Sequence, residues 1–282
     1  MQASMSPRIA LSIAGSDPSG GAGVQADLKT FSALGVYGTT VITALTAQNT
    51  RTVSGVRMVD VDFVLEQLHT LIADVRIDAI KIGMLGTAEL ADAIGDFLRR
   101  GDFPIVVLDP VMVATSGDAL FAADATQAMR ELLPHASLIT PNLAEAAVLL
   151  NAPVAEDVQA MHRQARALAE LGAARVLIKG GHLTGAAVDV FHEQGRTVEI
   201  SARRVPTTNT HGTGCSLSSA ITAIRTRQPD WLDAVSEAKV WLTSAIRGAD
   251  SLGVGGGHGP VHHFHAWWDQ PADVPPKTPG RS

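Results

Sequence analysis

Four short aliphatic segments, Ala79-Ile-Lys-Ile82, Ile105-Val-Val-Leu108, Ser137-Leu-Ile139 and Arg175-Val-Leu-Ile178, alternate with helical patterns over residues 88–99, 123–133, 143–150 and 157–171. Strands covered on both faces read as continuous aliphatic runs of this kind. Strand, helix and strand in alternation imply right-handed crossovers, so the chain is expected to form an α/β fold with a mostly parallel central sheet. Toward the N-terminus, Ile9–Ala14 reads as a further strand. It runs into Gly15-Ser-Asp-Pro-Ser-Gly-Gly-Ala-Gly23 and then a helical pattern ending near Gly35. Residues 37–47 are β-rich, and Phe63, Val64, Leu68, Leu71 and Ile72 repeat at helical spacing. Residues 186–200 read as a hairpin around Gln194-Gly195, and two helices begin near Thr213 and Asp230.

No linker interrupts this pattern. One domain over residues 8–268 is expected, between disordered ends at 1–7 and 269–282. The chain has 282 residues, enough for a full core. A net charge of −6 without a basic cluster disfavours nucleic-acid binding. The single cysteine, Cys215, excludes an intrachain disulfide and an all-cysteine zinc site. The apolar run after Arg8 stops at Ala14, short of a secretory signal, and no window approaches a membrane span. A cytoplasmic location is therefore the expectation.

Ligands of open α/β sheets bind beyond the carboxyl ends of the strands, and four features fall there. The first is Asn209-Thr-His-Gly-Thr-Gly-Cys215, leading into helical Ser216-Leu-Ser-Ser-Ala-Ile221. Its glycines permit close backbone approach, and the helix N-terminus offers N–H groups to an anion such as a phosphoryl group in transfer. The helix dipole would lower the Cys215 thiol pKa. An ordinary glycine-rich loop over a buried cysteine is the alternative. The second, Gly15–Gly23, matches neither a Walker motif nor a dinucleotide fingerprint, and a plain helix-capping turn explains it as well. The third comprises Asp109, Asn142, Glu145 and Lys179 at successive strand ends, where carboxylates could hold Mg²⁺ through water and a lysine could cradle phosphate. Singly, each would read as a cap or a solvated charge. The fourth, His258-Gly-Pro-Val-His-His-Phe-His265, suggests a metal cluster, but no soft ligand accompanies it and a structural segment is expected.

Taken in order, these stretches resemble the hydroxymethylpyrimidine/phosphomethylpyrimidine kinase family of the ribokinase-like superfamily. The matching segments are Ala14–Gly23, Thr43–Thr50, Lys81–Leu85, Leu108–Met112, Ser116–Asp118, Thr140–Ala146, Lys179–His182, Asn209–Cys215 and Gly259–His265, spanning nearly the whole chain. The resemblance implies a ribokinase-like three-layer α/β/α fold and two successive ATP- and Mg²⁺-dependent phosphorylations. These convert 4-amino-5-hydroxymethyl-2-methylpyrimidine to its monophosphate and then its diphosphate, for thiamine diphosphate biosynthesis. It also suggests a homodimer. By resemblance, Gln48 reads the aminopyrimidine, with Gly15, Ala22, Asp27, Met84 and Val111 lining the same pocket. Gly212, Thr213, Gly214 and Cys215 form the anion hole, Cys215 standing where most relatives in the superfamily carry an aspartate base. Asn142, Lys179 and Thr213 face the nucleotide, and Asp109 and Glu145 organise magnesium. Ala144 departs from the proline common in relatives. The competing readings are a pyridoxal kinase of the same superfamily and a catalytically silent pyrimidine-binding protein.

Overall fold

The computed structural model describes residues 6–112, 126–181 and 183–268. Ser116-Gly-Asp118, the loop at 114–118 considered as a closing segment, the start of the helix expected from Ala123, His182 and the chain ends at 1–5 and 269–282 lie outside the described residues.

In chain order the elements are β1 (Ile9–Ala14), α1 (Gly23–Ala33), β2 (Tyr37–Ile42), β3 (Ala44–Gln48), β4 (Val53–Met58), α2 (Val61–Ile72), β5 (Ala79–Ile82) and α3 (Ala88–Arg100). There follow β6 (Val106–Leu108), α4 (Thr126–Leu132), β7 (Leu138–Ile139), α5 (Leu143–Leu150), α6 (Val158–Glu170), β8 (Arg175–Ile178), β9 (Ala187–Glu193), β10 (Arg196–Ala202), α7 (Thr213–Arg225) and α8 (Trp231–Arg247). Eight strands form one sheet in the order β10-β9-β8-β7-β6-β5-β1-β2. From β2 to β8 every pairing is parallel, whereas β9 and β10 pair antiparallel at one edge. Their connection has Gln194 and Gly195 at φ 48° and 78°, the left-handed geometry that suits a tight hairpin. The expected hairpin is thus present.

Side-chain alternation divides the core into layers. Leu11, Ile13, Ile80, Ile82, Val106, Leu108 and Ile139 join the buried residues of α2–α6. Ala79, Val107, Leu138 and Leu177 point to the other face, against Leu217, Ile221, Val235 and Leu242 of α7 and α8. The chain steps from β1 to β2 in one direction and from β5 to β8 in the other. That reversal leaves a crevice at the carboxyl ends beside β1, where such sheets bind ligands.

One element was not legible in the sequence pattern. Val53–Met58 carries Ser54, Gly55 and Arg57, which blunt the strand signal, and among the described residues it pairs only with β3. The two form a small separate antiparallel sheet, with a register shift at Ala47/Gln48. Asn49 closes the turn by accepting N–H bonds from Arg51 and Thr52.

Where β1, β5, α1 and α7 meet, the packing is polar. Lys81 of β5 and Asp27 of α1 are both fully buried and pair at 2.8 Å. Asp27 also accepts from the hydroxyls of Ser12 on β1 (2.6 Å) and Ser219 on α7 (2.7 Å). Removing one member of a buried ion pair strands the other, at a cost on the order of 3–5 kcal/mol. Lys81→Met should therefore lower the urea midpoint markedly. Combining it with Asp27→Leu should cost less than the sum of the two single replacements; strict additivity in urea melts would show that the pair does not act as a unit.

Candidate functional site

Strands β1, β5, β6, β7 and β8 all end at the crevice, and α7 starts above it. Gly212, the residue before α7, has φ 74°, and a side-chain carbon there would lie 1.8 Å from the Gly21 carbonyl oxygen. Only glycine allows this contact between the two glycine-rich loops. Gly212 offers no side chain to cap the helix. Thr213 and Ser216 N–H groups bond to the carbonyls of Thr210 and Gly212, while among the described residues those of Gly214 and Cys215 have no acceptor in the chain. A carbon added at Gly214 would lie 3.3 Å from Lys179 Nζ and 3.5 Å from Asp109 Oδ2. The free helix N-terminus therefore stands directly over a lysine and a carboxylate.

Beneath it the strand-end charges are fixed. Asp109, 1% exposed, accepts from Lys179 Nζ at 2.7 Å and Thr140 Oγ1 at 2.9 Å. Burial alone would raise its pKa, but Lys179 and Lys81 outweigh this and hold the carboxyl below its usual range. Lys179 loses hydration as well, yet Asp109 and Glu145 keep its pKa above the ordinary lysine value. Glu145 lies farther from Lys179, at 3.9 Å. Burial, with Asp109 nearby, pushes Glu145 up to about 7 despite Lys179. Asn142 and Glu145 form a capping box on α5: each side chain accepts the other's backbone N–H, at 2.9 and 2.7 Å. Asn142 is also bridged to Lys179, extending the β7–β8 pairing. These four residues, separated by up to 70 positions in the chain, form one cluster.

Among the described residues no group of three or more His, Cys, Asp or Glu side chains could enclose a metal. Two carboxylates beside a lysine and an anion-binding helix terminus suit Mg²⁺, which keeps waters and is shared with phosphate oxygens rather than caged by protein.

The other wall comes from β1, β3 and β5. Gly15 lies against Met84 Sδ and the Ala44 carbonyl, at 3.2 and 3.6 Å from where its side chain would start. Ala22 precedes α1 and gives its N–H to Asp17 at 2.8 Å. Val111 is half-buried, its N–H bonded to the Asp109 carbonyl at 2.8 Å. Gln48 ends β3 beside His211, in a cleft also lined by Arg51, Thr52 and His258. Asp27 has 0% exposure, and its carboxylate accepts from Ser12, Lys81 and Ser219.

The expected lowering of the Cys215 pKa is corrected. Cys215, in the first turn of α7, is half-buried. Desolvation pushes its thiol up to about 11; Lys81 and the Gly23 N–H oppose this, but Asp27 and Asp109 add to it.

Two features of the site were missed from sequence. Lys81 is a lone charge inside an apolar strand, a signal available in Ala79-Ile-Lys-Ile82. The Asp17–His211 contact, at 2.8 Å, joins residues 194 positions apart and left no local trace. Of the C-terminal histidines, His263 places Nε2 3.0 Å from Ser216 Oγ, and the His265 ring packs against Trp241. Burial, with Lys29 and neighbouring histidines, pushes His263 down to about 3, so it stays neutral beside α7.

Because the thiolate is the reactive form, alkylation of Cys215 by iodoacetamide should be slow at pH 7. Its rate should climb about tenfold per pH unit toward pH 10. A rate already level between pH 7 and 8 would mean that the thiol pKa is low after all.

Comparison with known proteins agrees with this geometry. The family model described as phosphomethylpyrimidine kinase matches residues 17–262. The hydroxymethylpyrimidine/phosphomethylpyrimidine kinase of Escherichia coli is 55% identical over 262 residues, covering 92% of this chain and 98% of its own. The ADP complex of Bacillus subtilis pyridoxal kinase superimposes with a TM-score of 0.86 at 35% identity, covering 93% of this chain and 99% of that one. The phosphomethylpyrimidine kinase of Clostridium difficile gives a TM-score of 0.75 at 38% identity, covering 85% and 99%. With its glycine-bounded helix terminus over Asp109 and Lys179, this chain belongs to the phosphomethylpyrimidine kinase family.

Proposed function

We propose that this chain uses ATP to phosphorylate 4-amino-5-hydroxymethyl-2-methylpyrimidine, and then phosphorylates the monophosphate to the diphosphate, in the cytoplasm as part of thiamine diphosphate synthesis. The observation that carries the proposal is the uncapped N-terminus of α7, where a side-chain carbon placed on Gly214 would lie within 3.5 Å of Lys179 Nζ and Asp109 Oδ2. Phosphoryl transfer requires positioned reactants and fixed positive groups around three equatorial oxygens, with little covalent chemistry from the protein. Within the anion-hole loop Gly212, Thr213, Gly214 and Cys215, the unbonded N–H groups of Gly214 and Cys215 face that charge, and Lys179 adds an ammonium held by Asp109. Asn142, Lys179 and Thr213 face the nucleotide. Magnesium held through water by Asp109 and Glu145 would neutralise charge on the triphosphate.

On the acceptor side, Gln48 accepts from an exocyclic amine and donates to a ring nitrogen, while Gly15, Ala22, Met84 and Val111 shape the pocket. A thiol with a pKa of about 11 is no standing base at neutral pH. Cys215 therefore acts by placing the acceptor oxygen under the helix terminus. The 55% identity to a kinase named for both phosphorylations favours the pyrimidine over pyridoxal, although a pyridoxal kinase at 35% identity shares the fold. The two-stranded sheet and α2 expose Leu45, Met58 and Phe63 at 53%, 38% and 54%, a surface suited to a homodimer.

The test is an ATP-coupled assay offering the hydroxymethylpyrimidine and pyridoxal separately, with mono- and diphosphate products resolved. Pyrimidine diphosphate is expected; pyridoxal phosphate alone would overturn the substrate assignment. In the same assay Cys215→Ala should slow both steps by a similar factor, roughly a hundredfold, as loss of positioning does. A loss confined to the first step, where an alcohol must shed its proton, would identify a base instead. Light scattering should give a dimer mass that Leu45→Lys reduces; a monomeric wild-type chain would dispose of the dimer.

A further inference from the structure

His211 reaches back from the residue before Gly212 to the first glycine-rich loop. Its Nε2 lies 2.8 Å from Asp17 Oδ2. Asp17 is 2% exposed and also accepts from the backbone N–H groups of Ser19, Gly21 and Ala22 and from the Ser19 hydroxyl. Burial would raise its pKa, but the bonds from His211, Ser19 and Ala22 prevail and keep the carboxylate ionised below its usual range. A carboxylate oxygen at 2.8 Å demands a proton on the facing nitrogen, so His211 Nε2 is a donor.

The same Nε2 lies 3.4 Å from Nε2 of the Gln48 amide, whose oxygen lies 3.2 Å from Thr46 Oγ1. The Thr46 hydroxyl has one proton, and the Ser16 carbonyl takes it at 2.8 Å. Thr46 thus turns a lone pair toward Gln48. With the amide nitrogen beside His211 and its oxygen beside Thr46, donor faces donor and acceptor faces acceptor. A half-turn of the amide gives the Thr46 lone pair an N–H donor. It also puts the oxygen where it takes the weaker branch of a three-centre bond from the His211 proton already held by Asp17. The two ends of the amide are told apart only by their partners.

We propose that His211 and Thr46, anchored by Asp17 and the Ser16 carbonyl, lock the Gln48 amide with its oxygen toward His211 and its NH₂ toward Thr46. The lock sets the donor–acceptor order presented to the heteroaromatic substrate. His211 and Thr46 are positioning residues that act through Gln48, and the inference rests on the reading of Gln48 as the group that meets the aminopyrimidine. Once locked, the amide keeps one oxygen lone pair and one N–H for the ligand. An aminopyrimidine offers an amine donor and a ring-nitrogen acceptor, matching one order of these groups. The 4-oxo counterpart offers a carbonyl acceptor and a ring N–H donor, matching the reverse. A freely turning amide serves both; a locked one rejects the second.

The experiment measures kcat/KM of the full chain for the amino alcohol and its 4-oxo counterpart, in wild type, Thr46→Val, Thr46→Ser, His211→Leu and Gln48→Ala. Wild type should prefer the amino compound by at least about tenfold, in line with one well-formed bidentate contact. Thr46→Val, isosteric but without the hydroxyl, should narrow that preference by roughly tenfold, and Thr46→Ser should restore it. A preference unchanged in both Thr46→Val and His211→Leu, while Gln48→Ala abolishes it, overturns the lock and leaves the role of Gln48 standing. A preference that survives Gln48→Ala removes the reading beneath the lock and the lock with it.

Discussion

The buried pair of Lys81 and Asp27 is the constraint around which the site is arranged. It lies where β1, β5, α1 and α7 converge, and through Ser12 and Ser219 the same carboxylate touches all four elements. Two charges removed from water are tolerated only when their bonding is complete. Here three donors meet the carboxylate, so the elements that bear them have little freedom to slide. Ser219 lies one helical turn beyond Cys215. The pair therefore fixes α7 at its N-terminal end, the end that faces Asp109 and Lys179.

Electrostatics then follows from depth. Asp109 sits between two lysines and remains charged; Glu145, farther from Lys179 and beside another carboxylate, is raised toward neutrality. Cys215 shares this interior and is raised in turn. A kinase site that holds its charges this way is preorganised for an incoming polyanion, because the positive groups are already in place when the ligand arrives. It has no comparable means of keeping a thiolate.

Much of the fold was legible because its signals are local. Strand β1, β5 and β8 boundaries and helix α5 follow from aliphatic runs and a capping residue, each contained within a few positions. The carboxyl-end residues Asp109, Asn142, Glu145 and Lys179 were legible for the same reason, since each follows a recognisable strand. Strand β4 was not, because Val53–Met58 becomes a strand only by pairing with β3. The enclosure of Asp27 was not legible either, because its three partners come from distant segments.

The sequence by itself determined the alternation of strands and helices, the parallel sheet, the crevice at its carboxyl ends and, through ordered motifs, the family. These depend on periodicity and on residue types a few positions apart. Only the tertiary structure decided that burial raises the Cys215 thiol pKa, that Lys81 pairs with Asp27, and that His211 meets Asp17 and Gln48. Protonation and hydrogen-bond direction are set by desolvation and by partners brought within about 3 Å. Segments as far apart as Asp17 and His211 acquire those partners only when the chain has folded.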